Sequence, residues 1–242
     1  MEPQEYARTA EAEEHHFWFR ELRRVWTRLL REAGSMGRGS VRALDAGCGT
    51  GANLRLLERG RAAVGIDLSP LAIRIARSKV TSPLSRATIL QLPFRAESFG
   101  IVLCTDVIYH KDVRDDVAAL KEIRRVLQPG GIVLINVPAF EALRSAHDRA
   151  VHTARRYNRT MLRERICAAG LEPVRIIYWN ALLLGPAVLL RLLRKRGGNR
   201  SDIVKLPEPL NALMTAVAIL DATAALRGLF PAGLSLAAIA RR

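Results

Sequence analysis

The sequence predicts an α/β chain built on a mostly parallel sheet with helices on both faces. Two observations carry that expectation. From Val41 to Val137, short runs rich in Val, Ile and Leu alternate with segments of helical spacing, as repeated βαβ units do. The first run also ends in a glycine loop, "LDAGCGTGAN" (residues 44–53), that opens directly into a helix. Of the 242 residues 49% are hydrophobic, and the mean hydropathy is +0.06. Such a chain can bury a core, and its length suits one domain with additions. Aromatics are 5%, so that core is aliphatic.

Taken in order, residues 1–40 read as an N-terminal cap, in which "HHFWFRELRRVWTRLL" predicts an amphipathic helix with Phe17, Trp18, Val25 and Leu29 free to dock. The core spans 41–180. Its strands are expected at 41–47, 62–68, 87–90, 100–107, 131–138 and 172–179. One helix starts where Ser69 can cap free N–H groups and Pro70 takes the first helical position. Another carries Val113, Val117, Leu120, Ile123 and Leu127 on one face and stops at Pro129, Gly130 and Gly131. Residues 139–158 form a lid segment, and Asn158 caps a helix that ends at Gly170. A helical insertion, 181–233, precedes the last strand, 234–242.

The net charge of +15 and pI near 11.0 would suit nucleic acid, an anionic membrane surface or an acidic substrate. No stretch interleaves basic and aromatic residues, so the arginines read as solvated helix faces and no nucleic-acid partner is expected. Cys48, Cys104 and Cys167 lie far apart without a CxxC pair, which argues against a disulfide framework or a metal site. "MEPQEYARTAEAEEHH" has neither a basic nor an apolar signal region, so a cytoplasmic protein is expected. Two apolar stretches in the insertion are interrupted by Gly185, Pro186, Arg191 and Asp221, short of the ~20 clean residues that a spanning helix needs. Peripheral membrane contact remains compatible with them.

Gly47, Gly49 and Ala52 satisfy the loose dinucleotide fingerprint, with Asp67 at the spacing of a ribose-binding acid. The neighbouring residues discriminate further. Asp45 precedes the loop, Gly51 adds a third glycine, and "LPF" (92–94) and "LQPGG" (127–131) follow downstream. In this combination the chain resembles the class I S-adenosylmethionine-dependent methyltransferases, in their small-molecule, methyltransferase type 11-like branch. The resemblance is strongest over 41–137. It implies an enzyme with a seven-strand Rossmann-like sheet and S-adenosyl-L-methionine as cofactor. It places Asp45, Gly47 and Gly49 near the cofactor's amino-acid end, Asp67 on the ribose, Gln91 and Leu92 beside adenine, and Asp106 at the methionine moiety. Cys48, Gly51, Leu68, Thr88 and Thr105 join the expected cofactor-binding set. Thr88 and Gly100 depart from the family, which often has Asp at both places.

The stretch "RSAHDRAVHTARRYNR" (144–159) concentrates two histidines, an aspartate, a tyrosine and five arginines where the family's fold overhangs the reacting methyl. If it is helical, Asp148 and His152 share a face, with Arg155 and Arg156 one turn on. Three readings stand side by side. The group is an ion-paired latch; or Arg155 or Arg156 holds an anionic substrate group; or His152, held by Asp148, is a general base, with His110 and His147 as rivals. Tyr157, Tyr109, Phe17 and Trp18 are the further substrate candidates. The resemblance implies methyl transfer to a small acceptor, and the apolar insertion suggests a hydrophobic or amphipathic one, methylated at oxygen. The rivals are an RNA-modifying enzyme of the same fold and a cofactor-binding protein without catalysis. The insertion's first helix ends in Arg191, Arg194, Lys195 and Arg196, a pattern suited to a membrane surface, a lid or a homodimer contact.

Overall fold

Consecutive βαβ units demand parallel pairing, and the computed structural model, which describes residues 1–32, 41–185, 188 and 207–242, has it through the first five strands. β1 (Ala43–Ala46) lies between β2 (Ala63–Asp67) and β4 (Phe99–Thr105). β3 (Leu84–Arg86) forms one edge, and β5 (Leu127–Pro138) extends the sheet on the other side. β7 (Ser235–Arg241) inserts antiparallel between β5 and β6 (Glu172–Trp179), giving a seven-stranded sheet of order β3-β2-β1-β4-β5-β7-β6.

Side chains alternate across a strand, so a sheet buried on both faces needs helices on both. Leu44, Val102 and Ile135 face one layer with Leu120 and Ile123 of α5 (Asp116–Val126) and Leu162 of α7 (Arg159–Ala168). Ala43, Ile101, Leu103 and Leu134 face the other. There they meet Leu54 of α3 (Ala52–Leu57), Ile73 of α4 (Pro70–Arg77) and Ala222 and Ala225 of α8 (Glu208–Leu226).

That second layer also contains the N-terminal cap, which is two helices rather than one. α1 (Pro3–His15) and α2 (Phe17–Glu32) are broken at His16, whose backbone is extended. Leu22, Val25, Trp26, Leu29 and Leu30 recur at helical spacing and are fully buried, so α2 serves as a core helix. Capping follows the sequence closely: the Ser69 hydroxyl accepts from Ala72 N–H, and Asn158 accepts from Met161 N–H. Two boundaries shift. The third strand falls at Leu84–Arg86, because an edge strand needs no apolar alternation, and residues 87–90 turn back through a Thr88–Gln91 bridge. The helix expected from Val113 starts at Asp116, because Asp115 accepts from Ala118 N–H and fixes the start; Val113 packs from the loop before it.

A buried carboxylate helps tie the insertion to the core. Asp221, buried in α8, accepts from Asn180 N–H and Leu182 N–H, both at 2.7 Å, just where the chain leaves β6. Gly233 closes the return, since a Cβ there would lie 2.4 Å from the Trp179 carbonyl. Arg191, Arg194, Lys195 and Arg196 lie outside the described residues. Replacing Asp221 with Ala strands two N–H groups, and denaturant unfolding should register a loss of about 1.5 to 3 kcal/mol.

Candidate functional site

In an open α/β sheet, ligands gather beyond the carboxyl ends of the strands. Here β1 runs into the glycine loop, where Gly47, Gly49 and Gly51 have φ of 93°, 51° and 95°, a left-handed region that side chains disfavour. A Cβ on Gly47 would strike Val107 at 2.3 Å, whereas nothing lies within 4 Å of one on Gly49. At the end of β2 the Asp67 carboxylate accepts from Gly49 N–H (2.9 Å) and Ser69 N–H (2.8 Å), which ties the loop to the next strand. Burial pushes its carboxyl above the usual range, and those N–H groups oppose the shift.

A cavity of about 1210 Å³ opens over this loop. Single-ligand pockets run ~300 to 1,000 Å³, so it has room for a cofactor and an acceptor. Its lining combines acceptors, Asp67, Asp106, Glu13, Thr105 and Thr88, with aromatic and aliphatic side chains, Phe17, Trp18, Phe19, Leu22, Leu183 and Met214.

Asp106 ends β4 in a left-handed conformation, φ 60°. Its Oδ1 accepts from Asn136 Nδ2 at 3.0 Å, and Asn136 Oδ1 accepts from Trp179 Nε1 at 3.0 Å. Burial pushes the Asp106 carboxyl up to about 7, against the Asn136 hydrogen bond. Trp18 stacks on Trp179 with ring centroids 5.7 Å apart, so the cap helix is joined to the same network. Glu13 was absent from the sequence candidates. Its signal was a spacing of three and four: Tyr6, Thr9 and Glu13 share a face of α1, and all three line the cavity. Lys79 pairs with Glu13 at 3.3 Å.

Three carboxylates lining one cavity would repel a pyrophosphate, which disfavours a dinucleotide. They fit a ligand that carries positive charge and the hydroxyl donors of a ribose. Residues 44–135 match the methyltransferase domain family. A Bos taurus protein described as a probable tRNA methyltransferase 9B is 30% identical over 148 residues, 61% of this chain and 32% of that one. A Mycolicibacterium smegmatis protein described as a probable S-adenosylmethionine-dependent methyltransferase is 29% identical over 164 residues, 66% of this chain and 61% of that one. The chain spans less than two thirds of either relative's length. A solved S-adenosylmethionine-dependent methyltransferase from Thermotoga maritima shares the fold at a TM-score of 0.61, with 18% identity over 98% of this chain and 95% of that one. Residues 44–135 are thus a methyltransferase domain, and the chain as a whole has the fold of the solved methyltransferases.

Of the expected cofactor-binding residues, Gly47, Cys48, Gly49, Asp67, Leu68, Thr88, Thr105 and Asp106 lie on the cavity wall. Asp45 does not. It is completely buried behind the loop with neither carboxylate oxygen hydrogen-bonded, and burial, with the charges of Asp67 and Glu13, pushes it up to about 8. Gly51 starts α3 and packs toward Val80 and Ala76. Gln91 is exposed and Leu92 is buried in the core, because residues 87–90 turn early; Ala87, Thr88 and Ile89 form the wall there.

The 144–159 stretch also departs from the helical expectation. α6 (Ala146–Ala150) is short, and His152 follows it at φ 58°, so Asp148 and His152 do not pair. Asp148 instead accepts from Ser145 N–H (2.6 Å) and takes the Arg156 guanidinium at 2.9 and 3.0 Å. Burial pushes the Asp148 carboxyl up, but Arg156 outweighs it and holds the group below its usual range. Arg156 also donates to the Ala139 carbonyl. Arg155 donates to the Val113 and Arg114 carbonyls, and the Tyr157 hydroxyl donates to Asp116 at 2.8 Å; neither residue is on the cavity wall. The geometry is that of a latch, closed further by His110–Thr153 and Ala139–Tyr157 bridges.

His152 Nε2 meets Glu2 at 2.8 Å, and its Nδ1 lies 3.0 Å from the Met1 amine. His110 accepts from Asp112 N–H and lies 3.1 Å from the same amine, and burial holds it down at about 4. His147 lines the cavity with a buried Nδ1 that has no partner. Phe17, Trp18 and Tyr109 are on the wall as expected.

Two outcomes follow from these charges. Arg156→Met leaves Asp148 buried and unpaired, and calorimetry should show a loss of about 3 to 5 kcal/mol. Asp45 binds its proton more tightly folded than unfolded, so it opposes folding increasingly as pH rises from 3.8 to about 8. Asp45→Asn should flatten that decline in the melting temperature of the cofactor-free protein.

Proposed function

We propose that this methyltransferase moves the methyl group of S-adenosylmethionine to an oxygen atom of a small, apolar or amphipathic acceptor. The observation that carries the reading is a cavity with room for two ligands whose lining holds both buried carboxylates and aromatic side chains. The cofactor supplies a methyl group on a cationic sulfur, with Asp67 and Glu13 as the residues that would hold its hydroxyl and positively charged groups. Phe17, Trp18, Phe19 and Leu22 hold the acceptor body and exclude water. Such positioning contributes up to ~7 to 11 kcal/mol of the barrier in well-oriented transfers.

An alcohol or phenol must lose its proton as the new bond forms. A carboxylate with a pKa near 7 is suited to accept it at neutral pH, and Asp106 has that property on the cavity wall. Asn136 fixes its orientation by occupying Oδ1. The nitrogens of His152 and His110 face Glu2, Asp112 and the Met1 amine, which favours Asp106 over either histidine as base.

The bovine relative's description suggests tRNA as a second acceptor class. The apolar lining and the cover formed by α1 and α2 weigh toward a small molecule. Release of S-adenosylhomocysteine, measured with a panel of apolar phenols and carboxylic acids beside bulk tRNA, separates the two. Turnover with the small acceptors is expected to rise with pH to a plateau above about 7. Asp106→Asn should lower kcat roughly 10²- to 10⁴-fold with KM for the acceptor retained. Turnover confined to tRNA would overturn the proposal.

A further inference from the structure

α8 has an outward face without charge. Its acidic residues are Glu208 at the start and Asp221, which is buried against the chain leaving β6. Between them Leu210, Leu213, Ile219 and Leu220 are exposed, Leu220 by 65%, and Leu229 follows just past the helix at 64%. Thr215 and Thr223 donate their hydroxyls to carbonyls one turn back, so they make no demand on water. The helix has 19 residues and a mean hydropathy of 1.5, long and apolar enough by composition to cross a membrane. Crossing would strip Asp221 from the two N–H groups it caps, so the helix is built to lie along a surface.

Beside this face runs a groove of about 830 Å³ between α2, α3 and α8. Ile219 and Thr223 belong to both, so the apolar face and the groove are contiguous. Seven arginines line the groove, in excess over Glu13, Glu14, Glu21 and Glu32. Arg24 and Arg55 pair with Glu21 and Glu14, whereas Arg28, Arg31, Arg59 and Arg227 meet no carboxylate among the described residues. All four are exposed.

We propose that α8 and this arginine groove form a docking surface for an anionic lipid bilayer, with the leucines entering the headgroup boundary and Arg28, Arg31, Arg59 and Arg227 taking lipid phosphates. Charge complementarity selects the occupant. A second copy would bring unpaired guanidinium groups of a +15 chain together, which is repulsive. Nucleic acid would leave the leucines in water, and the groove has no Trp, Tyr or Phe on which a base could stack. The inference does not depend on which acceptor is methylated.

The test is co-sedimentation of the full chain with vesicles of phosphatidylglycerol and phosphatidylcholine, beside pure phosphatidylcholine. Retention is expected on the anionic vesicles, with release as salt rises toward 1 M, where the Debye length falls to about 3 Å. Leu213→Ser with Leu220→Ser removes exposed apolar area without touching the core, and should weaken partitioning roughly tenfold or more at an unchanged melting temperature. Arg28→Gln with Arg59→Gln should lower retention and flatten its salt dependence. No retention, or retention indifferent to the leucine pair, overturns the proposal. So does a stable dimer in sedimentation that dissociates with the leucine pair, or RNA binding that those arginines govern while vesicles are ignored.

Discussion

The side-chain amide of Asn136 joins the parts of this protein that must act together. It is buried on β5, donates to Asp106 at the end of β4 and accepts from the indole of Trp179 at the end of β6. An amide buried in a core costs free energy unless it is satisfied on both sides, and here Trp179 satisfies it from the core and Asp106 from the cavity wall. The consequence is geometric. The closing hairpin, the cavity wall and, through the Trp18–Trp179 stack, the N-terminal cap are held in one register. Asp106 can keep a left-handed backbone because this network over-determines its position.

The glycine loop supplies the second constraint, and it works against stability. Asp45, Asp67, Asp106 and Glu13 are raised above their usual pKa range, each chiefly by burial. A fold under no other pressure would neutralise or pair them, as it does with Asp148 and Arg156. Carboxylates lining a cavity are instead a preformed field for a cation, and the burial that raises them is the cost of that field. Lys79 favours the charged form of Glu13, and the Met1 amine that of Asp67.

How far the sequence led can be argued from particular elements. The glycine loop, its cofactor class and the mostly parallel sheet were legible because the glycines, Asp67 and the P-G-G turn impose backbone geometry locally. Capping at Ser69 and Asn158 was legible for the same reason. The early turn that displaced Gln91 from the cavity was not, since an edge strand as polar as Leu-Ser-Arg carries no periodic signal. Nor was the fate of residues 144–159. Helical spacing put Asp148 beside His152, but the helix ends at Ala150 and the partner of Asp148 is Arg156, eight residues away and reached only after the chain reverses. Glu13 failed to stand out because its face on α1 is polar, and a polar stripe gains meaning only from the cavity it meets.

α2 shows why cap and catalytic core cannot be treated as separate. Its buried face, Leu22 through Leu30, fills the layer that a sheet buried on both sides requires, so the helix is obligatory for folding. The start of the same helix places Phe17, Trp18 and Phe19 at the cavity, and the stack on Trp179 forbids them to swing away without breaking the Asn136 network. Its outer face carries Arg24, Arg28 and Arg31 toward α8. One amphipathic segment therefore sets core packing, part of the cavity's apolar lining and the charge of the outer surface. A change on any one of its three faces is constrained by the other two, and the lining of the cavity is tied to the stability of the fold.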